Sequence, residues 1–195
     1  MTHRKPVTFV PEDFTDPAKR TAGFVALTVW CPLWPSHGPD SYVRKLFPMV
    51  LLVQRWDGLI GFPGGMGKPG ESPLEAAIRE TAEEVNFSVM EKAEHRSCFV
   101  SDRVVGHLYH CHMGIRPKSF LVRVMERASA AVDFATEGCP FWANLADFGG
   151  GRGWGNLRAG SSLMTAVPEE LDRVREFLYE NAPLGIFNPC GGDGE

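Results

Sequence analysis

Apolar positions along the chain fall into short runs divided by Pro, Gly and polar clusters. AGFVALTVWC, residues 22–31, is rich in Val, Phe and Trp and predicts a buried strand. CPLWPSHGPD, 31–40, follows as a loop. FPMVLLVQR, 47–55, predicts a second buried strand, and Asp57-Gly58 is a hairpin-type turn signal. Leu59 to Phe62 reads as a short strand running into Pro63-Gly64-Gly65. Further on, Cys98–Val105 and Gly106–Met113 predict a strand pair, and Lys118–Met125 another strand. Residues 133–162 show little periodicity, and GGGRGWGN within them signals a loop.

Two segments carry a helical period instead. Leu74, Ala77, Ile78, Thr81 and Val85 recur as one stripe over residues 73–85. Ser72 is a good N-cap, Pro73 suits the first helical position, and Glu75 completes a capping box. Asn86 suits the left-handed position that ends a helix. A second helix begins near Pro168, with Leu171, Val174, Phe177 and Leu178 on one face. Strands and helices interleave, so the class is α/β or α+β with a mixed sheet. Domain boundaries follow: an irregular polar arm over 1–20, one domain over 21–187, and a disordered tail over 188–195.

Composition narrows the function classes. With 195 residues, one decorated domain is expected. The chain is 44% apolar and 23% charged, an ordinary globular balance. A formal charge of −4 argues against a generally basic, nucleic-acid-coating protein. The 5 cysteines are odd in number and lack CxxC spacing, which suits free thiols in a reducing compartment. No secretory h-region opens the sequence and no apolar run has membrane-spanning length. The expectation is a soluble intracellular protein, cytoplasmic or nuclear, with no membrane partner.

The chemistry concentrates in GMGKPGESPLEAAIRETAEEVNF, residues 65–87. On a wheel of about 100° per residue, Glu83 and Glu84 flank Glu80 at roughly 60° and 40°. The apolar stripe centres about 115° from Glu80, so the three carboxylates share an edge beside the core face. Arg79 lies next to them, away from the stripe. Like charges so placed repel. A solvated face accounts for most Glu-rich helices, yet these side chains converge, and Gly64-Gly65 lets backbone oxygens approach whatever they bind. Carboxylates with backbone oxygens suit a hard divalent cation, Mg²⁺ or Mn²⁺. Such a cation shared with substrate implies a phosphate ester or anhydride.

This stretch resembles the Nudix box: G, five residues, E, seven residues, R-E, an aliphatic, any residue, E-E, any residue, G, an aliphatic. Gly65, Glu71, Arg79, Glu80, Glu83 and Glu84 fall at the required spacings, and Phe87 takes the last apolar place. Thr81 stands where an aliphatic is usual and Asn86 where Gly is usual. The resemblance implies a Nudix α/β/α sandwich with a mixed sheet between helices. It implies divalent-metal-dependent hydrolysis of a pyrophosphate bond in a nucleoside diphosphate derivative. Glu80 and Glu84 would hold the cation, helped by Glu83 and the carbonyl of Gly64. Arg79 would orient the carboxylates, with Glu71 as its partner. Glu80, Glu83 or a later acid such as Asp102 or Glu137 would activate water.

RWDGLIGFPGG, 55–65, is similar to the corresponding run in the snoRNA-decapping and inosine-diphosphatase branch of that family, with thinner likeness at Arg96-Ser97 and RVVGHLY, 103–109. The resemblance implies a nucleotide or capped-RNA substrate, with Arg55 and Phe62 bordering its pocket and Glu170 near a base-contacting position. Phe99 stands where that branch has a histidine. Family members of this size are often homodimers, though no seam is legible. The histidines of HLYHCHM, 107–113, fit no standard zinc spacing. Arg103, Arg116, Lys118, Arg123 and Arg127 are either an RNA-binding strip or scattered surface charge. The alternative to an enzyme is a catalytically weak Nudix-like module that binds RNA or a partner.

Overall fold

A computed structural model describes residues 7–33, 45–55, 57–88, 93–131, 138–145 and 167–183. The elements run β1 (Thr8–Val10), β2 (Arg20–Leu33), β3 (Lys45–Arg55), β4 (Ile60–Gly61), β5 (Gly64–Met66), α1 (Pro73–Val85), β6 (Ala93–Val100), β7 (Val104–Ile115), α2 (Lys118–Ala128), β8 (Gly138–Asn144) and α3 (Val167–Glu180). The strands form one sheet in the order β1-β6-β7-β2-β3-β4, with β5 paired to β2 and β8 to β3. The β2–β7 pair is parallel and the other pairs are antiparallel, so the sheet is mixed.

The two central runs read as continuous apolar sequence because both their faces are covered. Val25 and Leu27 of β2, Leu51 and Val53 of β3, and Tyr109 and Cys111 of β7 pack with Ala77 and Val85 of α1 and Val124 of α2. On the opposite face Ala26, Trp30, Val50, Leu52 and Leu108 pack under Leu171, Val174 and Leu178 of α3. The expected α/β/α sandwich is therefore present, and the α3 stripe is the one its period predicted.

Three expectations are corrected. Residues 118–125 form helix α2 and not a strand. Leu121, Val124 and Ala128 are its buried stripe, whereas Val122 is 45% exposed. The Phe120-Val122-Val124 alternation imitated a strand, but the Leu121, Val124, Ala128 spacing buries more. Within the arm expected to be irregular, Thr8–Val10 pairs with β6. Within 133–162, β8 pairs with β3 along its whole length. Its Pro140 argues against a strand interior, and is tolerated because only β3 pairs with β8 among the described residues. The GGGRGWGN loop, the 188–195 tail and most of the 31–40 loop lie outside the described residues. Cys31, Cys98, Cys111 and Cys139 are free thiols, as expected. Among the described residues, no helix is long and apolar enough to cross a membrane.

Candidate active site

Helix α1 begins as its sequence dictates. Ser72 accepts from the Glu75 N–H at 3.2 Å, and the Glu75 carboxylate accepts from the Ser72 N–H at 2.8 Å, closing the capping box. At the far end Asn86 adopts φ 52°, ψ 41°, the left-handed cap. Thr81 is fully buried, and its hydroxyl donates to the Ala77 carbonyl at 2.7 Å. That bond satisfies the polar atom at a position where an aliphatic is usual.

Gly23 seats α1 against β2. A Cβ there would lie 1.9 Å from the Pro73 carbonyl and 2.8 Å from the Ala77 nitrogen. This close approach brings the acidic edge of α1 over β5. The Gly64 N–H donates to Glu84 Oε2 at 2.8 Å. The Glu80 carboxylate lies over Gly65, where a Cβ would meet its Cδ at 2.7 Å. Both glycines are needed, Gly64 also for its φ of +140°.

Arg79 organises the remaining acids. Its Nε and Nη2 donate to the two oxygens of Glu71 at 2.8 and 2.9 Å. Nη1 donates to Glu80 Oε1 and Glu83 Oε2, both at 2.8 Å, and Nη2 also reaches the Met66 carbonyl at 3.0 Å. The five N–H donors of the guanidinium are thereby used, which only its planar fork permits. The Glu71 carboxyl is held down to about 2, chiefly by the Arg79 hydrogen bonds and then by the Lys68 N–H. The Arg79 guanidinium is pushed up in turn, Glu71 being the largest cause.

Two adjoining clefts lie beside this cluster. The acidic one, ≈ 220 Å³, is lined by Glu80, Glu84, Gly64, Gly65, Arg55 and Phe62, among others. The apolar one, ≈ 260 Å³, is lined by Phe24, Phe62, Phe99, Leu108, Arg55 and Glu170, among others. Phe24 and Phe99 stack with centroids 6.1 Å apart and planes at 25°. Gly106 makes room for Phe99, since a Cβ there would sit 2.2 Å from the ring. Arg55, at the end of β3, lines both clefts, with Nη2 3.3 Å from Asp57. Phe62 also lines both, while belonging to the core under α3.

The structure thus joins Glu80, Glu84, Gly64, Arg55 and Phe62 around one space. Glu83 faces Arg79 and does not line the acidic cleft, so the predicted trio divides into two cleft acids and one outside it. Asp102 lines neither cleft, and Glu137 lies outside the described residues. Among the described residues, no three His, Cys, Asp or Glu side chains converge as a metal-holding group. The two cleft carboxylates are nevertheless a hard-oxygen donor pair. Three glutamates bind Arg79 and a fourth, Glu84, binds the Gly64 N–H, so the cluster carries a formal charge of −3. Mg²⁺ binds through one or two carboxylates and keeps its waters, so the residues fit it.

The sequence did not mark Phe24 as pocket lining and assigned Phe99 no role, while Glu170, expected near a base-contacting position, does line the apolar cleft. Glu170 is 1% exposed and accepts from the Ser97 hydroxyl. The one local signal was Gly106, a glycine inside a strand, which often marks close approach. The histidines of β7 form no metal cluster. His110 and His112 both contact the Thr28 hydroxyl, at 2.7 and 3.0 Å. Burial, reinforced by His112 and Arg96, pushes His110 down to about 3.

The α2 cations and Arg103 do not form one strip. The 12 residues of β7 separate Arg103 from Arg116, a span of about 40 Å at strand rise.

Comparison with known proteins agrees with this geometry. Residues 27–137, more than half the chain, match the NUDIX domain family. The U8 snoRNA-decapping enzyme of Mus musculus is 35% identical over 114 residues, 52% of this chain and 56% of that protein. The U8 snoRNA-decapping enzyme of Homalodisca vitripennis is 31% identical over 94 residues, 45% of this chain and 49% of that protein. The chain spans about half the length of these curated relatives. Among solved structures, the Bacillus subtilis pyrophosphohydrolase BsRppH, in a mutant form, superposes with a TM-score of 0.52 at 17% identity, covering 90% of this chain and 91% of that one. A mutT/nudix family protein from Listeria innocua gives 0.50 at 15% identity, covering 85% and 96%. At such identities the likeness is one of fold. With the box residues in register, α1 on β5 and a matching domain across most of the sheet, the chain belongs to the NUDIX family.

Proposed function

We propose that the protein is a divalent-metal-dependent pyrophosphohydrolase that cuts a nucleoside diphosphate derivative or the cap of an RNA. One observation carries this reading: an acidic cleft and an aromatic pocket adjoin, and Arg55 lines both. The pocket takes a flat base against Phe24, Phe62 and Phe99. Arg55 at the junction takes phosphate charge, and Glu80 and Glu84 lie where the anhydride would then rest. The curated relatives are decapping enzymes by name, which supports a cap or nucleotide substrate.

Glu80 and Glu84, beside Gly64, would hold Mg²⁺ or Mn²⁺, which would supply neutralisation of the pyrophosphate charge and a lowered pKa for water. The chain's own residues do the rest. The Gly64 N–H and Arg79 hold Glu84 and Glu80 in place before substrate arrives, so little reorganisation is needed during reaction. Glu80, which faces the cleft, takes the proton of the attacking water as the new P–O bond forms. The P–O bond to the leaving phosphate breaks, and Arg55 stabilises the charge left there. Glu83, bound to Arg79, steadies the guanidinium from outside the cleft.

The test is a side-by-side panel with Mn²⁺: inosine and guanosine diphosphates, ADP-ribose, diadenosine polyphosphates and capped RNA. At least one is expected to be cut at a pyrophosphate bond. A panel left wholly uncut overturns the reading and returns the chain to the binding-module alternative, which calorimetry with Mn²⁺ and nucleotide then examines.

A further inference from the structure

The aromatic pocket has a charged mouth that hydrolysis of a small nucleotide does not need. Strand β2 shows the direction. Arg20, Ala22 and Phe24 alternate onto one face, and Ala22 and Phe24 line the pocket. Arg20 is the next step outward on that face and is exposed. Its register partner on β7 is Val104, which lines the pocket as well. The Arg20 N–H donates to the Arg103 carbonyl at 3.0 Å, which places exposed Arg103 beside it on the β6–β7 turn. On the other side of β2, the Gly67 N–H donates to the Thr21 carbonyl at 2.8 Å, so the following residue, exposed Lys68, stands at the same end of β5.

The backbones at Lys68, Arg20 and Arg103 therefore follow one another from the end of β5 across β2 to the β6–β7 turn. Neighbouring strands are about 4.8 Å apart, so the row is roughly 10 Å long, room for two or three phosphates. Of the acids nearby, Asp16 is engaged by Lys19 at 3.9 Å and by the Ala18 N–H, Glu71 is held by Arg79 and also accepts the Lys68 N–H at 2.8 Å, and Asp102 adjoins Arg103 in sequence. Among the described residues, Lys68, Arg20 and Arg103 make no ion pair. The turn that carries Arg103 is tied down, since Lys19 Nζ donates to the Asp102 carbonyl at 3.0 Å and the Ser101 N–H to the Val104 carbonyl at 2.9 Å.

We propose that this row is a track for the phosphates of a single-stranded RNA whose terminal nucleotide occupies the aromatic pocket. A cationic track joined to aromatic rings that stack a base is how single strands are bound without reading their sequence. The track belongs to Arg20, Lys68 and Arg103, not to the cations of α2. This deepens the proposed function and rests on it for the identity of the pocket's occupant.

The test is binding of a 3′-fluorescein-labelled RNA decamer with a 5′-hydroxyl, followed by anisotropy. That probe has no pyrophosphate bond, so binding is read without turnover. Three phosphate contacts at about 0.7 each predict a salt slope near −2, or roughly 20-fold weaker binding at 200 than at 50 mM salt. Changing Lys68, Arg20 and Arg103 together to Gln should flatten the slope to near zero. Arg103→Gln alone, the milder variant should the triple one misfold, should reduce it by about 0.7. Arg123→Gln with Arg127→Gln on α2 should leave it unchanged. Salt-independent binding by the unaltered protein overturns the proposal, as does an unaltered slope in Arg103→Gln or a slope carried by the α2 pair. If the substrate panel fails while this slope behaves as stated, the hydrolase reading falls and the track stands.

Discussion

At the scale of single residues the site depends on carboxylates held in place before any ligand arrives. Glu84 accepts the Gly64 N–H and lines the acidic cleft. Glu84→Gln keeps an acceptor for that N–H and removes the charge. It should lower kcat by on the order of 10²–10³, the loss typical of one preorganised electrostatic group, while thermal melting shows an intact fold. Unchanged turnover would refute the role given to Glu84. Arg79→Lys should also fail to rescue, because an ammonium cannot reproduce the two-pronged grip on Glu71 together with the bonds to Glu80 and Glu83. A loss of roughly 10- to 100-fold in kcat/KM is expected, the range for a group that orients metal-binding side chains. At this scale the sequence was most legible. Ser72, Glu75 and Asn86 follow from local spacing, because helix caps are local interactions, whereas the Glu71–Arg79 pair came from the resemblance to the box. Glu83 was less legible, because a wheel gives direction but not which side chain Arg79 captures.

At the scale of elements, glycines at strand crossings set where the pocket and the helix lie. Gly106→Ala would drive a methyl into the Phe99 ring, and Gly23→Ala into the Pro73 carbonyl. Overpacking costs about 1–3 kcal/mol. Gly23→Ala should exceed that range, since its obstacle is backbone, whereas Gly106→Ala should mainly reshape the aromatic pocket and raise KM. Urea unfolding and steady-state kinetics separate the two. Acid lability also belongs here. The unfolded chain protonates Glu71 near 4.5, but the folded one only near 2. The contribution of Glu71 is whole above about 4.5 and lost as pH falls towards 2, so Glu71→Gln should flatten the stability curve in that window. His110, under α3, has its ordinary value of 6.5 lowered to about 3. The unfolded chain takes that proton first, so stability is whole above 6.5 and drains from there towards 3. His110→Gln should lessen the fall in urea midpoint between pH 7 and 5. Elements were legible where one period dominated, as in α1 and α3. They were not where two patterns overlapped in Lys118–Met125, nor where pairing with β3 outweighed Pro140. The pocket depends on register between distant strands, such as Phe99 opposite Gly106, and no local pattern contains that.

At the scale of the whole molecule, the sandwich brings an acidic helix edge and an aromatic pocket together beside β5 and the end of β3. The acidic edge carries unbalanced negative charge, so a cation that binds only the folded form should raise the melting temperature. Addition of Mg²⁺ or Mn²⁺ should do so for the unaltered protein and much less for Glu84→Gln. The central claim is that this cleft hydrolyses pyrophosphate bonds. Its most direct measurement is product formation from the substrate panel named above, by chromatography with and without Mn²⁺, for the unaltered protein and Glu84→Gln. The account predicts cleavage of at least one of those substrates that needs both the metal and Glu84. Cleavage that persists in Glu84→Gln, or no cleavage of any of them with Mn²⁺ present, would contradict it.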